Sequence, residues 1–258
     1  GEVRRYAIGS SIHVLFDCKQ DERHEVFEWA LNLTDVGLQS ELLPSIGMFM
    51  QGLLEEKDCL AVIPQLGKQQ ALDLLEGYCR SQAASDGPKA VATYISLKPE
   101  GADFSGLPPV MRSLGEKTDF AAVDKLLPDD SKPIARESRT AMMKRWAEIP
   151  PKAAHEYVLA SNGKVSSGQM DVVLSTWAES QREAAETWVR EQTDTKIRSH
   201  GAHAMATHME NDFPDHAWSW ALEIQDAAQR DRKLKEVHAI WLKRDPVAAE
   251  RARLSIGN

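Results

Sequence analysis

The tract Ser199-His200-Gly201-Ala202-His203-Ala204-Met205-Ala206-Thr207-His208, with Asp212 and His216 beyond it, is the stretch whose residue types most invite metal chemistry. An inner coordination shell needs ligand atoms converging within about 2.0 to 2.2 Å of one point. At about 100° per residue on a helix, His200, His203 and His208 fall near 0°, 300° and 80°, a spread of about 140°. His200 with His203 could meet at a metal, but His208 is badly placed, and His203 has Thr207 rather than a second histidine four residues on. The reading is therefore of surface and half-buried histidines, with no metal and no cofactor.

Seven tryptophans could form an aromatic cage or a platform for stacking bases. Three cysteines, Cys18, Cys59 and Cys79, are an odd number at wide spacing without a CxxC, so they read as reduced thiols packed in a core, which fits a cytoplasmic setting. The chain has no glycine-rich phosphate loop, nucleophile elbow, kinase signature or paired catalytic carboxylates. Gly9-Ser10-Ser11 and Ser166-Ser167-Gly168 read as turn or cap sequences. No catalytic residue is assigned, and the chain is read as a non-enzyme.

With 258 residues the chain can bury a substantial core. Its formal net charge of -8 disfavours nucleic acid as the main partner, because that binding draws on clustered lysine and arginine. No apolar run approaches the roughly 18 residues of a membrane span. The opening Gly1-Glu2-Val3-Arg4-Arg5 lacks an initiator methionine and an apolar stretch after its arginines, so the expectation is a trimmed chain whose targeting signal is not in view, and the native compartment stays open.

The elements that position these residues emerge when the chain is slid along itself. Pro88-Lys89-Ala90-Val91-Ala92-Thr93-Tyr94-Ile95 overlies Pro151-Lys152-Ala153-Ala154-His155-Glu156-Tyr157-Val158 at an offset of 63, and half that offset leads to Arg182-Glu183-Ala184-Ala185-Glu186-Thr187-Trp188-Val189. Extended both ways, the frame falls at Arg23, Lys57, Pro88, Asp119, Pro151, Arg182, Pro214 and Pro246, mostly 31 or 32 residues apart. Three places after each frame position stand Val26, Leu60, Val91, Ala122, Ala154, Ala185, Ala217 and Ala249; nine before it stand Val14, Met48, Cys79, Val110, Met142, Val173, Met205 and Val237. Six after it are the bulky Trp29, Ile63, Tyr94, Tyr157, Trp188 and Trp220, interrupted by Lys125 and Ala252, and five before it are Trp146, Trp177, Met209 and Trp241.

Each unit reads as two helices. Proline is well tolerated at a first helical position, so the frame residue marks a helix start. Apolar residues two, three, six and seven places on form one stripe of a helix of about ten residues. Pro99-Glu100-Gly101, Pro128-Asp129-Asp130 and Ser161-Asn162-Gly163 read as turns, and a longer helix such as Arg136 to Trp146 leads to the next frame. No segment alternates with strand period. One helix pair cannot bury its stripe alone, whereas stacked pairs share a continuous core. The expected fold is all-α, an α-solenoid of about eight stacked two-helix repeats over a single domain, 1–258. Six of the seven tryptophans fall in its packing columns; Trp218 does not. The phase at the two ends, beginning in a second helix and closing after a first, is expected of part of a longer array, or of ends that dock in oligomers.

These columns resemble the helix-helix grammar of the tetratricopeptide repeat family, in which a proline closes the second helix, a bulky residue follows it by six and a packing residue precedes it by five. Pro151 with Tyr157 and Trp146, Pro214 with Trp220 and Met209, and Pro246 with Trp241 carry the likeness. The period departs from that family's 34, and its Leu-Gly pair in the first helix is absent. The resemblance implies a right-handed superhelix whose concave groove takes a protein or peptide, with the side chain four places after the frame directed into the groove. In this chain that column is Phe27, Ala61, Ala92, Val123, His155, Glu186, Trp218 and Glu250, which either line the groove or form a partly buried flank. Trp218, Glu186, His155 and Glu250 are the candidate binding residues. The expected function is a non-catalytic scaffold with a protein or peptide partner; the alternatives are a helical-repeat enzyme or small-ligand site dispersed over the groove, and, less favoured because the column shows no basic row, RNA binding.

Overall fold

In the computed structural model the described residues are 20–49, 56–128, 133–149, 151–160 and 167–255. They are helical, and none forms a strand. In chain order the helices are α1 (Gln20–Leu31), α2 (Val36–Phe49), α3 (Glu56–Val62), α4 (Lys68–Ala83), α5 (Gly87–Leu97), α6 (Leu107–Arg112), α7 (Phe120–Leu126), α8 (Pro133–Glu148), α9 (Pro151–Ala160), α10 (Ser167–Glu191), α11 (Thr195–Met209), α12 (Pro214–Leu222), α13 (Ala227–Arg244) and α14 (Pro246–Ser255). No described helix is long and apolar enough to cross a membrane. Contacts divide the chain into two compact units, 1–145 and 146–258.

The frame positions fall at helix starts. Pro151, Pro214 and Pro246 open α9, α12 and α14, Asp119 caps α7, and Pro88 is the second residue of α5. At the Arg182 frame no loop intervenes; α10 breaks at Gln181 (φ -145°, ψ 59°), so that a new helical segment begins at Arg182. Only α1 departs, starting three residues before Arg23. Aspartate supplies the caps that proline cannot: Asp86, Asp119, Asp194, Asp226 and Asp245 each accept a backbone N–H from the first turn of the helix that follows. Gly101, in the turn after α5, has φ 69°, a left-handed conformation that glycine adopts without penalty.

In the first unit the main packing is α2 on α4, with α4 also meeting α5 and α6. Gly47 and Gly77 let the two backbones touch: a Cβ on Gly77 would overlap the Pro44 carbonyl, and one on Gly47 would overlap the Leu74 carbonyl and lie 2.7 Å from the Tyr78 nitrogen. Ser40 bonds Asp73 across the same contact, and buried Gln39 donates to the carbonyls of Ala30 (3.1 Å) and Leu31 (2.8 Å), satisfying the end of α1. The helix before the Asp119 frame is short, α6, because Gly106, Pro108 and Pro109 confine it to six residues. Tyr94 of α5 is fully buried and its hydroxyl accepts the Gly106 N–H at 3.1 Å. Tyr94→Phe should therefore cost about 1 to 2 kcal/mol, the desolvation of an orphaned N–H; a urea midpoint unchanged from wild type would contradict this.

In the second unit successive helices from α9 to α14 pack on their neighbours, and α11 also meets α13. Most of the two apolar columns lies in the cores of the units, while Leu60 and Ala122 are half-buried. Cys79, Val110, Met142, Val173, Met205 and Val237 are fully buried, as are Val91, Ala154, Ala185, Ala217 and Ala249. Burial raises the Cys79 thiol well above its ordinary pKa and keeps it protonated. Cys18 and the Cys59 side chain lie outside the described residues, as do Val14, the Val26 side chain and the turn at 161–163.

Two column residues are corrected. Trp29 is 52% exposed rather than packed, because α1 buries Phe27 and Ala30, whose face lies on the other side of the helix. Met48 is likewise exposed, since α2 turns Leu42, Leu43, Ile46 and Gly47 inward.

Candidate functional site

The four candidate binding residues all lie in the second unit, and the structure separates them. His155 is fully buried, Trp218 is 6% exposed, Glu186 is half-buried with its side chain 14% exposed, and the Glu250 side chain is 43% exposed. The reason is the width of the buried stripe. In α9 the inward residues are Pro151, Ala154, His155 and Val158, and in α12 they are Pro214, Ala217, Trp218, Trp220 and Ala221. The position four after the frame is thus in the stripe of both helices. For α12 this follows from packing between α11 and α13, which covers two sides. In α5 the same position, Ala92, is exposed.

Trp218 and Glu250 are brought to one place, with His238 between them. The Trp218 ring lies 6.0 Å from His238 and 6.2 Å, edge-on, from Trp241. His238 Nε2 faces Glu250 Oε1 at 3.4 Å, and Glu250 Oε2 accepts from Arg253 Nη2 at 2.8 Å, a bond that holds its carboxyl below the usual carboxylate range. Around them opens a cleft of about 270 Å3, floored by Trp218 and Leu234 and edged by His238, Asp231, Lys235 and Arg253.

Glu186 belongs to a different neighbourhood. It pairs with Arg182 (3.8 Å) and Arg190 (3.2 Å) on its own helix, and those two guanidiniums sit over the rings of Phe213 (4.7 Å) and Trp220 (4.8 Å). Beside Phe213 lies the larger cleft, about 750 Å3, where α10 is interrupted: Ala178, Ser180, Gln181 and Ala184 line it with Glu179, Arg182, Glu183 and His208. Phe213, the residue before the frame proline, is 44% exposed. Phe213 belongs to none of the repeat columns; its signal in the sequence is an aromatic at the cap position where five other helices carry an aspartate.

His155 is sealed among aromatics. Its ring centre is 3.7 Å from that of Trp188, edge-on, and 6.1 Å from that of Trp177, and neither imidazole nitrogen has a hydrogen-bond partner. Burial, helped by the neighbouring charge of His200, pulls its pKa down to about 4. His200 Nε2 stands 3.0 Å from Asp171, and burial also pushes His203 below the ordinary histidine value, with Asp171 opposing. His208 lines the larger cleft instead. Among the described residues no three His, Cys, Asp or Glu side chains converge as metal ligands would.

The described residues thus define an all-helical protein with two open clefts in its second unit. No family model, no curated protein sequence and no solved structure matches the chain.

Proposed function

We propose that the chain is a non-catalytic helical-repeat scaffold, a stack of about eight tetratricopeptide-like helix pairs, that docks a segment of a protein partner in the cleft beside Phe213. The observation that carries the reading is an exposed aromatic ring held in place, by Arg182 over its face and Pro214 behind its backbone, at the edge of a cleft of about 750 Å3. Anchored aromatics are the residues that dominate binding energy at protein interfaces, since they bring large area at little entropy cost. The cleft also takes in the break at Gln181, where the backbone leaves helical geometry (φ -145°, ψ 59°) ahead of the segment from Arg182. The strongly shifted histidine, His155, is sealed in the core and away from the cleft lining, which fits packing better than proton transfer. A protein partner also suits the net charge of -8 better than a polyanion.

Affinity capture from the native source tests this with two variants. Phe213→Ser should reduce at least one captured partner by about tenfold or more, the loss of a modest hot spot. Trp29→Ser, which removes an equally exposed aromatic from the first unit, should leave that partner bound. Equal capture by both variants and wild type would overturn the assignment.

A further inference from the structure

The smaller cleft carries a separate reading, beyond the docking of a partner. Its floor, Trp218 and Leu234, is apolar, and its volume of about 270 Å3 is just below the range of pockets that hold drug-sized ligands, roughly 300 to 1,000 Å3. Whatever fits there is small. The charges at its mouth say more. Arg253 is neutralised by Glu250, which takes both of its short bonds, so it adds little net charge. That leaves Asp231 and Lys235. They stand four residues apart on α13 with the acid first, the orientation that pairs best on a helix. Neither has an ion-pair or hydrogen-bond partner among the described residues, and both are exposed at the cleft. A mouth with one unpaired carboxylate and one unpaired ammonium, one helical turn apart above an aromatic floor, complements a molecule with the opposite pair of charges and an apolar group.

We infer that the cleft binds a free α-amino acid with a large apolar side chain. The carboxylate is received by Lys235, the ammonium by Asp231, and the side chain lies on Trp218 and Leu234 against the His238 ring. Charge balance separates this from simpler ligands. A fatty or aryl acid would satisfy Lys235 and leave Asp231 facing its carboxylate; an amine would do the reverse. A peptide residue offers neither charge on its own α-carbon. The Trp218 indole, 6% exposed, is positioned by His238 on one side and Trp241 on the other, so little ordering is required on binding.

Calorimetric titration of the full chain with L-phenylalanine, L-leucine, N-acetyl-L-phenylalanine, L-phenylalanine amide and glycine tests the inference. The two free apolar amino acids should bind, and the acetylated and amidated forms should each bind about tenfold more weakly or worse, the loss of one charge-assisted contact. Glycine should show no binding. Asp231→Asn and Lys235→Gln, both at exposed positions where the fold is not at stake, should each weaken L-phenylalanine by about tenfold. They should also narrow the preference over its amide in the lysine variant and over its acetylated form in the aspartate variant, which a purely structural role would not do. Equal binding of all the phenylalanine forms, or no heat with any ligand, overturns the assignment. Loss of this site with Phe213-dependent capture intact leaves the scaffold reading standing, and the converse result removes that reading alone.

Discussion

Gly77→Ala is expected to cost the first unit about 3 kcal/mol or more, enough to abolish its cooperative unfolding transition. The added methyl would meet the carbonyl and Cα of Pro44, backbone atoms that cannot swing aside as a side-chain tip would. Relief requires α2 and α4 to move apart, and they are the most extensively packed helix pair of the unit. Separation would strip contacts from Leu43, Leu74, Leu75 and Tyr78, all buried, and break the Ser40 to Asp73 bond. Gly47→Ala meets the Leu74 carbonyl and should behave alike. Gly168→Ala is the control: nothing lies within 4 Å of its would-be Cβ, so alanine's better helix propensity should stabilise α10 by up to about 1 kcal/mol. Urea unfolding followed by circular dichroism separates the three variants, and a Gly77→Ala protein as stable as wild type would rule out the close crossing of α2 and α4.

Acid should loosen the second unit through His155. Its pKa falls from the ordinary 6.5 to about 4 in the folded chain, because the imidazole is buried against Trp177 and Trp188 without a partner for either nitrogen. As pH drops below 6.5 the unfolded chain takes a proton that the folded chain refuses, so stability is intact above 6.5, is lost down to about 4, and then levels off. The full loss is roughly 3 to 4 kcal/mol, at about 1.4 kcal/mol per pH unit. His155→Leu should remove this part of the pH dependence and, by deleting two unbonded nitrogens from a dry site, should raise stability at neutral pH. Tryptophan fluorescence under urea at pH 7 and pH 4.5 measures both; parallel pH slopes in variant and wild type would show that the imidazole is not sealed.

Helix content and most helix starts were legible in the sequence because the signals are local. A proline or aspartate at a first turn acts within four residues, and the apolar columns three after and nine before the frame recur with the helical period. That period places Val91, Val110, Met142, Ala154, Val173, Ala185, Met205, Ala217, Val237 and Ala249 in the core, but the same columns hold exposed Met48 and half-buried Leu60 and Ala122. Helix rotation was not legible. Whether the residue four after the frame turns inward depends on which side of its helix the neighbours cover, a tertiary property that the repeat does not encode: His155 is sealed, Trp218 is nearly so, and Ala92 at the same position is exposed. The clefts were harder still. Arg182, His208 and Phe213 converge from α10, α11 and the turn before α12, and Lys235, His238 and Arg253 from α13 and α14, at sequence separations that no column links.

The scaffold reading is tested most directly by amide hydrogen exchange on the full chain, alone and saturated with a partner captured through Phe213. Helical geometry is interrupted at Gln181 in the lining of the cleft, so the amides around the break are expected to exchange rapidly in the free chain. Binding there should slow exchange across residues 178–184 and at Phe213, leaving the first unit unchanged. Protection confined to other segments, with 178–184 exchanging at the rate of the free chain, would contradict the account.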